Sequence, residues 1–244
     1  YIGGISFEIL GPKYPFILGI ISASVSFVLS LFIKDIRMEK NVNAFKLEKI
    51  FRITENKTVF SSSLLGLTLH YILFATAFAF TPVLAKAIGA DGSQIGFIVF
   101  LFSLSSIAGS LTIGSKFADG FRGKKSIIFS FILIGVSCAF TPLLTNVYQF
   151  YIMSIISGFG RGIAFAVLSS LSIKHVGSEQ TATATGLFQT FVAVGIVSGP
   201  IITGLLVKSI SYSGSYITLV LVAFISIAIS AKWIPEECKI LKGD

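Results

Sequence analysis

The sequence predicts an all-α protein that crosses a membrane several times, and three observations lead there. Hydrophobic residues make up 54% of the 244-residue chain, charged residues only 12%, and mean hydropathy is +0.89. That is far from the balance of a water-soluble domain. Seven apolar runs are long enough for the roughly 20 residues with which a helix crosses the hydrocarbon core. The charges gather in the links between those runs, and much more heavily on one side than on the other.

Taken in order, the first run is Pro15–Ile33. The polar segment Lys34–Thr58, rich in both signs of charge, reads as a linker with a surface helix around Phe45–Ile53. Six runs follow: Val59–Ala85, Ser93–Ser115, Ser126–Thr145, Val147–Ile173, Ala182–Val207 and Ser215–Ala231. Arg161 is the one charged residue within these limits. The links Lys86–Gly92, Lys116–Lys125, Asn146, Lys174–Thr181 and Lys208–Gly214 are short, so successive helices are expected to be antiparallel neighbours. The opening Tyr1-Ile2-Gly3-Gly4 reads as the middle of a helix.

The links alternate sharply in charge. On one side lie only Lys13, Lys86 and Lys208, and Arg161 is within the membrane. The other fifteen of the 19 basic residues share the opposite side. By the positive-inside rule that side, with the linker and the C-terminus, is the cytoplasmic face of the cell membrane. The net charge of +8 is thereby explained without a nucleic-acid partner. Cys138 and Cys238 offer neither a disulfide framework nor metal-ligand spacing, and the sequence calls for no cofactor.

An internal repeat appears at an offset of 200 residues. Gly4 aligns with Gly204, Gly3 with Thr203, Phe16 with Tyr216 and Ile17 with Ile217. The expected organisation is therefore a remnant of a first half at 1–33 (the end of its fifth helix and its sixth), a linker at 34–58, and a complete six-helix second half at 59–244. Parallel six-helix halves are one repeat plan of secondary transporters.

The run Gly186–Gly204 is the most distinctive. Gly195 and Gly199 form a GxxxG step that lets another helix approach to backbone contact in lipid. Pro200 removes a backbone donor and should bend the helix.

These features resemble the major facilitator superfamily, and within it the drug and metabolite efflux antiporters. The resemblance rests on the six-plus-six layout with its basic linker and on Gly186…Gly195…Gly199-Pro200…Thr203-Gly204, similar to that branch's glycine-proline helix. It also rests on Gly114-Ser-Lys-Phe-Ala-Asp119-Gly-Phe-Arg122-Gly123-Lys124-Lys125. That segment looks like the family's cytoplasmic loop motif, with one residue too many between Asp119 and Gly123 and Gly120 where a basic residue is usual. The resemblance implies alternating access between two halves and a substrate site at their interface. It also gives Asp119, Arg122, Lys124, Lys125, Gly195, Gly199, Pro200 and Gly204 gating or helix-packing roles. On their own chemistry, Asp119 and the nearby cations can equally form a latch or simply set topology and a turn.

Arg161 is the sharpest single residue. An Arg at mid-membrane costs on the order of 3 kcal/mol even on lenient scales, so it should face the bundle interior or water. Its neighbours Gly158, Gly160 and Gly162 leave space for a close helix or for a ligand. His70 is at comparable depth, with Phe74 and Phe78 on its face and Tyr71 adjacent. Phe165 and Ser169 continue the Arg161 face, and Gln189 is the polar residue of the glycine-rich helix. Together they suggest an aromatic-walled small-molecule site, although a structural role for Arg161 and His70 and plain packing for the aromatics stay open.

All 11 acidic residues fall in links or tails. A proton carrier is therefore expected in helices preceding Tyr1, with His70 as the titratable group within these spans. The reading is a secondary transporter, not an enzyme, that exports a small molecule in exchange for protons and is monomeric when complete. Proton-coupled uptake of a small anionic metabolite is the alternative. A membrane-embedded enzyme or a non-transporting sensor comes from another class.

Overall fold

The computed structural model describes residues 1–32, 54–114, 121–174, 176–177 and 180–234. The expected surface helix at Phe45–Ile53 and all of the linker up to residue 53 lie outside them. So do Asp119, the side chain of Arg122 and the tail after residue 234.

Every described element is helical. Helices α1 (Ile2–Leu10) and α2 (Tyr14–Ser30) form a short hairpin. Next, α3 (Lys57–Leu73) runs through a wide π-helical stretch, Phe74–Phe80, into α4 (Thr81–Ala87). There follow α5 (Gly92–Gly109), α6 (Phe121–Phe140), α7 (Val147–Lys174), α8 (Thr181–Ser209) and α9 (Tyr212–Trp233). Six helical spans among the described residues are long and apolar enough to cross a membrane. Of the seven expected runs, Pro15–Ile33 falls short: its helix has 17 residues.

Local chemistry sets the starts. Asn56 caps α3 by accepting from the Thr58 and Val59 N–H groups at 3.0 and 3.4 Å. Asp91 and Gln94 form a reciprocal capping box at the start of α5, and the Ser211 hydroxyl accepts from Gly214 N–H to start α9. Each satisfies backbone donors that the first turn leaves unpaired. The wide turn ends where Pro82, early in α4, cannot donate to a carbonyl one turn back. Within it the Thr76 hydroxyl donates to Ile72 C=O at 2.7 Å.

Pairing departs from the expectation that short links make chain neighbours. The most extensive contacts join α5 with α7 and α3 with α8, followed by α6 with α7 and with α9. Small residues explain the choice. A side chain at Gly195 or Gly199 would run into the backbone of Leu67 and Tyr71 on α3. One at Gly158 or Gly162 would run into the Phe102 and Ser106 backbone on α5. In lipid, helices pair where backbones can touch, so these steps outweigh loop length.

The shared core joins α3, α6, α7, α8 and α9 through Leu65, Leu69, Phe131, Leu168, Phe188 and Leu219. Large apolar side chains such as Leu205 and Phe224 point outward, as helices facing hydrocarbon require. Helix α8 continues unbroken through Pro200.

Helix α1 docks on α5. A Cβ at Gly4 would meet the Gly92 carbonyl and the Gly96 Cα, so two backbones cross there almost in contact. The Glu8 carboxylate accepts from the Ser93 N–H at 2.8 Å, placing negative charge at a helix N-terminus, where it is stabilised. The Tyr1 ring lies 5.5 and 5.9 Å from those of Phe97 and Phe100. No residue of α2 is buried.

Candidate functional site

Arg161 sits between Gly158 and Gly162, the two residues through which α7 crosses α5. The glycines around it therefore serve helix approach rather than ligand space: Gly158 and Gly162 face α5, and a Cβ on Gly160 would press on the Ser130 carbonyl of α6. Two further bonds fix α7 in place. Ser105 donates to Ile155 C=O at 2.6 Å and Ser137 donates to Met153 C=O at 3.2 Å.

The guanidinium is only partly satisfied. Nη1 donates to Ser106 Oγ at 2.9 Å, and Cζ lies 5.2 Å from the centre of the Phe165 ring, within cation–π range. Nε is buried with no hydrogen-bond partner among the described residues. The partners found are a hydroxyl and an aromatic face.

His70 is buried, and its Nδ1 lies 2.9 Å from Gly66 C=O. A carbonyl can only accept, so Nδ1 carries the proton in that bond. The ring stands edge-on to Phe165 at 5.5 Å, and Phe165 in turn contacts Phe188 at 6.3 Å. Gly66 makes room for Phe188, since a Cβ there would lie 2.8 Å from that ring. The α3, α7 and α8 helices thus bring His70, Arg161, Phe165 and Phe188 into one group.

The other expected residues are more dispersed. Phe74 and Phe78 pack on each other at 5.1 Å within the wide turn, and Phe78 approaches Phe102 at 6.3 Å. Tyr71 is half-buried, and its backbone forms the surface against which Gly195 and Gly199 press. Gln189 is exposed, without a hydrogen bond or ring contact to the others among the described residues. Ser169 donates to Ala166 C=O within its own helix. Gly204 is not tightly packed: a Cβ would meet Phe80 at an ordinary 3.7 Å. Lys124 and Lys125 lie in the first turn of α6.

The expected aromatic-walled cavity takes the form of a wall. The void beside Arg161, lined by Leu69, Thr76, Phe102 and Ser157 among others, is about 10 Å³. Its neighbour, lined by hydroxyls of Thr76, Thr81, Ser137, Thr141 and Ser154, is about 30 Å³. Each has room for about one water molecule rather than a metabolite. Ser106, Phe102 and Phe188 escaped sequence reasoning, because serine and phenylalanine are too common in apolar spans to stand out.

A bundle of membrane-length helices with a cation held at mid-depth defines a multi-pass integral membrane protein. The chain belongs to the Major Facilitator Superfamily, whose family model matches residues 63–239. It is 26% identical over 225 residues to an uncharacterized MFS-type transporter of Methanocaldococcus jannaschii, covering 88% of this chain and 57% of that protein. It is 24% identical over 148 residues to Multidrug resistance protein 2 of Bacillus subtilis, covering 61% and 37%. It is 26% identical over 163 residues to the MFS-type transporter SLC18B1 of Mus musculus, covering 64% and 35%. The matched stretches thus span about half or less of these relatives.

Proposed function

We propose that this chain is the part of a secondary transporter comprising the end of one six-helix half (1–33), a cytoplasmic linker (34–58) and the whole of the other half (59–244). Alternating access comes from the two halves tilting about a site near the middle of the membrane. Arg161, with His70 and Phe165 beside it and Tyr71, Phe74, Phe78 and Gln189 more widely spread on the neighbouring spans, forms this half's share of the substrate surface. The carrying observation is the buried Arg161 Nε without a partner. An unsatisfied buried donor costs about 1–3 kcal/mol, a cost that a partner arriving with substrate or in another state would remove.

Export coupled to protons is the preferred direction. It is supported by the glycine-proline helix α8 and by similarity to a protein named for multidrug resistance. The spans among the described residues contain no carboxylate, so the proton carrier is proposed to be a group outside them. Arg161 keeps proton-coupled uptake of a small anion as the second reading. The Glu8–Ser93 bond and the Gly4 crossing join α1 to α5 at the end of the bundle opposite the linker, and Asp119 with Arg122, Lys124 and Lys125 is proposed to act at the linker face. The complete protein works as a monomer.

Counterflow of labelled solute by the whole protein in vesicles tests the reading. Exchange that saturates and weakens in Arg161→Ala, with partial recovery in Arg161→Lys, is expected. Non-saturating flux, or the same substrate affinity in all three proteins, would remove Arg161 from the site.

A further inference from the structure

The start of α3 and the end of α9 enclose a cavity of about 480 Å³ lined by Thr54, Lys57, Phe60, Ser61, Lys232 and Trp233. Its size is that of a small-molecule site, roughly 300–1,000 Å³, and it exceeds the voids beside Arg161 many times over. The spans Lys57–Ala87 and Tyr212–Trp233 begin and end at these residues, so the cavity lies at headgroup level, where tryptophan rings reside. Among the described residues, both charges that line it are positive. Lys57 and Lys232 are exposed, and neither has an ion pair among the described residues; Glu55, two residues before Lys57, does not line the cavity. Lys57 also opens α3, whose N-terminal dipole adds to the positive potential.

We propose that this cavity binds the phosphate-bearing headgroup of an acidic phospholipid. The two ammonium groups hold the phosphate, and the Phe60 and Trp233 rings pack along the glycerol and upper acyl chain. Basic pockets between membrane helices bind acidic headgroups by this physics. The inference does not depend on what the protein transports.

Trp233 is the single tryptophan of the chain, so its fluorescence reports the site directly. The whole protein, with Trp233 kept as its one tryptophan, is placed in nanodiscs containing brominated phosphatidylglycerol or brominated phosphatidylcholine, and quenching is followed against mole fraction. The expected result is preference for phosphatidylglycerol by tenfold or more. Lys57→Gln and Lys232→Gln should each reduce it roughly fivefold, as about 1 kcal/mol per lysine implies, while quenching by phosphatidylcholine persists and shows the variants folded and inserted. Equal quenching by the two lipids, or a preference that survives both substitutions, would overturn the proposal. A saturable change in Trp233 emission with micromolar glycerol phosphate or inorganic phosphate in phosphatidylcholine discs would also overturn it, by assigning the site to a soluble phosphate.

Discussion

Two helix crossings use the same glycine spacing and differ in everything else. At the α5–α7 crossing, Gly158 and Gly162 bring the backbones together, and hydrogen bonds from Ser105 and Arg161 fasten them. At the α3–α8 crossing, Gly195 and Gly199 bring backbones equally close, yet no side-chain hydrogen bond joins the two helices among the described residues. Close packing gives both crossings their affinity. Directional bonds give only the first a fixed register. A fastened crossing resists sliding, whereas a smooth one allows it, so motion within this bundle should favour the α3–α8 contact.

The strongest challenge to that contrast is a pair of matched substitutions. Gly162→Ala should be the most damaging, because its Cβ meets the Ser106 backbone where nothing can slide away. Loss of folded protein, or destabilisation by about 3 kcal/mol at the upper end for overpacking, is expected in thermal unfolding in detergent. Gly195→Ala should leave a folded protein with impaired exchange, since α8 can shift to relieve the clash. Equal losses of folded protein would end the distinction between the crossings.

Smaller effects sharpen it. Ser106→Ala removes the Nη1 acceptor and should cost on the order of 1 kcal/mol, within the modest range of hydrogen bonds between membrane helices; an unchanged melting temperature would show that the bond is not a fastener. Glu8→Gln should weaken the α1–α5 contact by about 0.5 kcal/mol. The readout is labelling of a cysteine placed at Ser93, which should become faster. Gly204→Ala should be close to silent in both stability and exchange, because the added methyl finds ordinary contact distance.

The spans were legible in the sequence because roughly 20 apolar residues between charged links have few other uses. The partners were not. A GxxxG step announces that some backbone will come close without saying whose, and so α8 was recognised as a packing helix while α3 was not named as its mate. Arg161 stood out by the cost of its depth, whereas Ser106 is one serine among many. Glu8 reaches Ser93 across 85 positions, a separation no local pattern encodes. Helix α8 remains helical through Pro200, just after the Gly195 and Gly199 contacts with α3.

The wide turn at Phe74–Phe80 gives its span two differently oriented stripes. Below it, His70 is directed toward the Phe165 ring. Beyond it, the Thr81 hydroxyl lies 3.2 Å from the Tyr216 hydroxyl. Each residue deleted from the turn would swivel the outer segment by about 100° relative to the inner one, tearing Thr81 from Tyr216 while leaving His70 where it is. One surplus residue thereby lets a single rod answer to two sets of neighbours.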